Sequence, residues 1–180
     1  MTTRIAVDGE REKLALMRRN MHAASRKQSI VTLASRLVRP FRPDDWRRQV
    51  TELHHFVRDG VRYERDPDQR EQLADPRASI VRGFDDCDGK ASALCALGRA
   101  LGIDCDIWPV WKGETLAHVQ AAFRWPGTEH LRQAHDGDEV LDGPPGRGWL
   151  ITDPTVRGSE VGADPLELPR NPETGKLPLA

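Results

Sequence analysis

A cysteine, a histidine and an aspartate stand in this chain in the order and type that thiol chemistry requires. Cys87 lies in the run Asp85-Asp86-Cys87-Asp88-Gly89-Lys90-Ala91-Ser92-Ala93-Leu94, and His118 and Asp153 follow downstream. A thiolate attacks a carbonyl carbon and an imidazole takes the thiol proton. A carboxylate on the other ring nitrogen then fixes tautomer and orientation. A loop-to-helix junction suits such a cysteine, because unpaired N–H groups and the dipole of a helix N-terminus stabilise a thiolate. The same N–H groups are candidate oxyanion donors. The flanking Asp85, Asp86 and Asp88 oppose this, since like charge disfavours a thiolate. The chemistry therefore requires these carboxylates to point away, cap the helix or meet a cation such as Lys90. Taken singly, each residue has a plainer reading: Cys87 as a small core residue, His118 as a half-buried histidine, Asp153 before Pro154 as a turn former.

The elements that must position the three are legible from periodicity. Residues 10–38 read as helical, with stripes at Leu14, Met17, Met21 and at Ile30, Leu33, Ala34, Leu37. A second helix is predicted from Asp44-Asp45 to Gly60, carrying Trp46, Val50, Leu53 and Val57. Val61-Arg62-Tyr63 reads as a short extended piece, and 64–79, with Asp66-Pro67 and Asp75-Pro76, as a loop. The central helix is capped by Asp85 or Asp86, carries Ala91, Leu94, Leu97, Gly98 and Leu101 on one face, and stops at Gly102. Three strands are predicted after it: 103–111, one starting at His118, and one from Trp149 ending at Asp153. If these strands run antiparallel, helix start, strand start and strand end converge on one edge of the sheet. Residues 126–148 read as a long excursion, and the stretch from Pro154 onward holds five prolines.

Composition bounds the function. The 180 residues are enough for one core, and no apolar run reaches the ~20 residues of a membrane span. Residues 1–50 carry a net charge of +7 and residues 51–180 carry −8. The favoured reading is a basic helical face that docks on the acidic body or on an acidic partner, with nucleic acid the lesser reading. Three cysteines without a Cys-x-x-Cys pair argue against a disulfide framework or a thiolate zinc site and point to a reducing, cytoplasmic home. No signal peptide is evident at the N-terminus. Asp85, Asp86 and Asp88 lack the rest of a cation loop, so neither a metal nor another cofactor is expected. Cys95 and Cys105 read as core, whereas Trp111 and Trp125 flank the candidate site and read as walls of an acyl-binding groove.

The run Gly83-Phe84-Asp85-Asp86-Cys87-Asp88-Gly89-Lys90-Ala91, then Leu101-Gly102-Ile103, His118-Val119 and Trp149-Leu150-Ile151-Thr152-Asp153-Pro154-Thr155 together resemble the transglutaminase-like superfamily, in its small bacterial and phage form. The resemblance spans about residues 50–156. It implies an α+β, papain-like core in which the cysteine-bearing helix packs on an antiparallel sheet of three or more strands. It divides the chain into a basic helical segment (1–42), a catalytic core (43–156) and a Pro-rich tail (157–180). By matching position, Cys87 is the nucleophile, His118 the base and Asp153 the orienting acid. The implied function is cysteine-dependent acyl transfer, hydrolysing a peptide, isopeptide or side-chain amide bond of a protein or peptide. Protein cross-linking and a catalytically silent binding module are the alternatives. The excursion between His118 and Asp153 is longer than the small members lead one to expect. No side-chain oxyanion donor is assigned, Gln72 and Trp111 being the candidates.

Overall fold

The computed structural model describes residues 9–65, 73–112, 114–124 and 149–162. Gln72, Trp125, the excursion 126–148 and the tail beyond residue 162 lie outside the described residues. In chain order the elements are α1 (Glu10–Ser25), α2 (Gln28–Val38), α3 (Trp46–Gly60), β1 (Arg62–Tyr63), α4 (Pro76–Arg82), β2 (Phe84–Asp85), α5 (Cys87–Ala100), β3 (Cys105–Lys112), β4 (Thr115–Arg124) and β5 (Trp149–Thr152). The fold is α+β, with α5 at its centre and the antiparallel sheet β3-β4-β5 on one side.

Helix α5 owes its position to its small residues. Ala91, Ala93, Leu94, Cys95, Ala96 and Leu97 are all fully buried, so the helix is enclosed on every face rather than on the single stripe its sequence suggests. Alanine, glycine, serine and cysteine leave room for α1, α2, α3, α4, β3 and β4 to pack around it. At Gly98 the approach is closest, where an added Cβ would lie 2.6 Å from the Phe123 ring. Gly102, at φ 79°, ends the helix in the left-handed region expected of a glycine stop.

The predicted helix 10–38 is two helices. Met21 and Ile30 are nine positions apart in sequence, which in one straight helix would place their stripes about 180° out of phase. A break at Arg26-Lys27, where Lys27 is extended (φ −77°, ψ 133°), lets both stripes enter the core. The predicted loop 64–79 also contains the start of a helix. Asp75 accepts the Arg77 N–H at 2.8 Å and Pro76 occupies the first helical position, so this Asp-Pro step starts α4 instead of a turn.

In the sheet, Cys105 pairs with Phe123, Val110 with His118, and Ala121 with Thr152. The register shifts between Val110 and Trp111, because Trp111 pairs with Leu116 and Ala117 is left over as a bulge. Strand β4 thus begins at Thr115, before the expected start at His118, and β5 ends at Thr152, one residue before Asp153. Beneath the sheet's other face lies a smaller cluster of Trp108, Ala122 and Trp149. Among the described residues no helix is long and apolar enough to cross a membrane.

Candidate active site

Cys87 is the first residue of α5. Asp86 caps the helix through one carboxylate oxygen, which accepts the N–H groups of Asp88 (2.9 Å) and Gly89 (3.2 Å). Asp85 is buried, pairs with Arg82 at 2.7 Å and accepts the Asp86 N–H at 3.0 Å. Its carboxyl fills the space beside Gly89, where an added Cβ would lie 2.1 Å from the Asp85 Cγ. Asp88 is buried against Lys13 of α1, Nζ to Oδ2 at 2.7 Å. Each aspartate beside the cysteine is therefore engaged, but the cation for Asp88 is not the expected Lys90. Lys90 is fully buried and donates its Nζ hydrogens to the carbonyls of Arg58 and Val61 at the C-terminal end of α3. Burial lowers its pKa to about 8.

The Cys87 thiol donates to Asp88 Oδ1 at 3.4 Å. Burial pushes its pKa well above the ordinary value, the Asp88 and Asp86 carboxylates add to that, and Lys13 offsets part of it. At rest this sulfur is a thiol. The Asp86 cap also occupies two of the first-turn donors expected for an oxyanion, and among the described residues the Cys87 N–H has no such partner.

The histidine and aspartate are joined. His118 Nε2 lies 2.6 Å from Asp153 Oδ2, with Asp153 only 1% exposed. The other Asp153 oxygen accepts both the N–H (2.9 Å) and the hydroxyl (2.5 Å) of Thr155. Burial alone would raise the Asp153 carboxyl, but the bonds from His118 and Thr155 outweigh it and hold the pKa below its usual value. With Nε2–H on the carboxylate, Nδ1 is the nitrogen left to take a proton, and it has no partner among the described residues. Behind Asp153 sits a dry polar network. The fully buried His54 accepts the Thr152 hydroxyl at Nδ1 (2.8 Å) and donates from Nε2 to the Ser159 carbonyl (2.9 Å). The Ser159 hydroxyl donates to the Asp153 carbonyl at 2.6 Å.

Both halves lie toward the same end of the sheet. Gly98 of α5 abuts Phe123 of β4. The Asp153 charge acts on Lys90 in the first turn of α5, so counting back from the Gly98 contact Cys87 is about 16 Å away along the helix and His118 about 16 Å along the strand, in the same sense. No hydrogen bond joins them, however. His118 stands opposite Val110, whose side chain packs with the Trp108–Ala122–Trp149 cluster rather than against α5. Trp111 does face the main core, and its buried indole N–H has no partner among the described residues.

Lys13, His54, Tyr63, Thr155 and Ser159 belong to this neighbourhood without having been singled out by sequence. Tyr63, whose phenol is raised by burial and by Cys87, is the chain's sole tyrosine. Thr155 had a readable signal, an Asp-x-Thr step that favours a local side-chain turn. Lys13 and His54 carry no local mark that separates them from their surface neighbours.

The family model of the transglutaminase-like superfamily matches residues 32–154. The chain belongs to the transglutaminase-like superfamily. Its fold is similar to that of a solved structure, a "putative protease" from Parabacteroides distasonis, with a TM-score of 0.54 and 14% identity. The likeness covers 86% of this chain and 31% of that one, so the chain spans under a third of that protein's length. No curated protein matches the chain in sequence. Within the superfamily match fall Cys87, His118 and Asp153, whereas α1 with Lys13 lies outside it.

Proposed function

We propose that this chain is a cysteine-dependent acyl-transfer enzyme that cleaves a peptide, isopeptide or side-chain amide bond of a protein or peptide. The observation that carries this reading is the His118–Asp153 bond at 2.6 Å, on a buried carboxylate, with the helix-start Cys87 at the same end of the sheet. Cys87 Sγ adds to the carbonyl carbon as its proton passes to His118 Nδ1. The C–N bond breaks as that proton goes to the departing amine, leaving a thioester. Water deprotonated by His118 then releases the acid, or an acceptor amine releases a cross-linked amide. Asp153 orients the imidazole and stabilises its charged form. Trp111 walls the acyl groove, and the Cys87 N–H is the backbone donor for the oxyanion.

A second reading, a silent binding module of the same fold, is favoured by one observation: the thiol bonds Asp88 and not His118. Iodoacetamide labelling of Cys87 across pH, read by peptide mass spectrometry in wild type and His118→Ala, separates the two. The enzyme reading expects labelling near neutral pH to slow about tenfold in the variant, one unit of thiol pKa. Equal rates support the module, which should also bind its partner unchanged as Cys87→Ala.

A further inference from the structure

The basic N-terminal helix reaches the nucleophile. Three observations meet there. Lys13 of α1 places Nζ 2.7 Å from Asp88 Oδ2, with both side chains almost wholly buried. Asp88 Oδ1 accepts the Cys87 thiol at 3.4 Å. Helix α1 lies against α5 through Leu14, Met17 and Met21, which hold Lys13 at that depth within the shared core. A lysine and an aspartate on the surface would be worth little to each other, but a pair out of water interacts strongly and leaves a strong field if one partner is removed.

We infer that Lys13 and Asp88 form a positioning pair that holds the Cys87 sulfur as a resting thiol and sets the pH at which it becomes reactive. This rests on the reading of Cys87 as the nucleophile. Asp88 acts directly as the proton's resting acceptor and as a negative charge beside the sulfur. Lys13 acts through Asp88: it fixes the carboxylate in place and cancels part of its field. A segment outside the superfamily match thereby governs the thiol, and any displacement of α1 would change the reactivity of Cys87.

Other charges face the sulfur and bound the effect. Asp86 is committed to the helix cap. Tyr63 of β1 faces Cys87 as a neutral phenol, hydrogen-bonded to Arg65. Asp85 of β2 is matched by Arg82. His118 of β4 is bonded to Asp153 and not to the sulfur.

The test is the pH profile of iodoacetamide labelling at Cys87 in the full chain. Asp88→Asn keeps an acceptor for the thiol but removes the charge, so the profile should move to lower pH and labelling at pH 8 should rise about tenfold, one unit of thiol pKa. Lys13→Met removes the positive charge that offsets part of the Asp88 field at the sulfur, so the profile should move to higher pH. Lys13→Arg should keep the wild-type profile. Opposite shifts are the signature, because a merely structural role would move both variants the same way. Shifts in one direction, or none, overturn the inference. If Lys13→Met does not fold, Asp88→Asn and the double variant Lys13→Met/Asp88→Asn decide, both expected at lower pH than wild type. The shifts should persist in a His118→Ala background. Should they occur while His118→Ala itself leaves the rate unchanged, the acyl-transfer reading fails and the pair stands.

Discussion

The two halves of the candidate site are built in opposite ways. The base half is assembled: His118, Asp153 and Thr155 form a closed set of bonds, backed by His54, Thr152 and Ser159. The nucleophile half is held: Cys87 sits at a correctly capped helix start, yet its proton is committed to Asp88. The first arrangement pre-orients a group that must not move. The second restrains a group whose protonation would have to change in the proposed reaction. Preorganisation is thus concentrated where a carboxylate is dry, and reactivity is governed where charges surround a sulfur.

Breaking the base half should give the largest effect. Asp153→Asn keeps the shape but removes the charge that stabilises imidazolium, and its amide cannot serve both His118 and Thr155 as the carboxylate does. Acyl-transfer turnover should fall by about 10³-fold or more, roughly 4 kcal/mol of barrier. Substrate binding should change little. A variant that keeps turnover within about tenfold of wild type, one RT-scaled decade, would show that the pair is structural.

The polar network under the base half titrates. Burial, helped by the positive charge of Arg58, depresses the His54 pKa from 6.5 to about 4, although the Ser159 carbonyl that its Nε2–H meets works the other way. The unfolded chain takes up this proton near pH 6.5 but the fold resists it until about pH 4. The stabilising contribution is therefore complete above pH 6.5 and is lost as pH falls through that window, to a total of about 3 kcal/mol. His22, also depressed by burial, adds a smaller slope of the same sign. Urea melts between pH 7 and pH 4 should show this slope in wild type and most of it gone in His54→Gln. A slope unchanged by the substitution would mean that His54 does not connect α3 to the Asp153 turn as drawn.

How much of this was legible in the sequence follows the same division. The central helix, its aspartate cap and its glycine stop were readable because each depends on neighbours within a few positions. The antiparallel strands were readable from alternation, and strand direction alone brought His118 and Asp153 to one edge. The start of β4 was misplaced at His118 because the bulge at Ala117 interrupts the alternation that marks a strand. The helix break at Arg26-Lys27 could have been deduced from two stripes out of phase. What sequence could not supply was pairing across distance. Lys13 and Lys90 are both lysines near aspartates in one sense or another. Only the packing of α1 and α3 decides that Lys13 meets Asp88 while Lys90 meets carbonyls. His54 is not part of the stripe Trp46, Val50, Leu53 and Val57 read for its helix, yet it is fully buried.

The remaining prediction sharpens the contrast from the far end of α5. Gly98→Ala exchanges a poor helix former for the best one, a gain of about 1 kcal/mol. Against it, the new methyl would meet Phe123 Cε1 at 2.6 Å and Cys105 Sγ at 3.2 Å. Phe123 is fully buried and paired across the sheet to Cys105, so neither neighbour has space to withdraw without moving β3 or β4. Overpacking of this kind costs about 1–3 kcal/mol, which leaves a net loss of about 1 kcal/mol. It should appear as a lower denaturation midpoint at constant slope. The Cys87 labelling profile should not change, because Lys13, Asp88 and Asp86 set the sulfur's surroundings and none of them touches the Gly98 end. A shifted profile in this variant would mean that helix position, rather than local charge, controls the thiol, and the division between a packed end and an electrostatic end of α5 would fail.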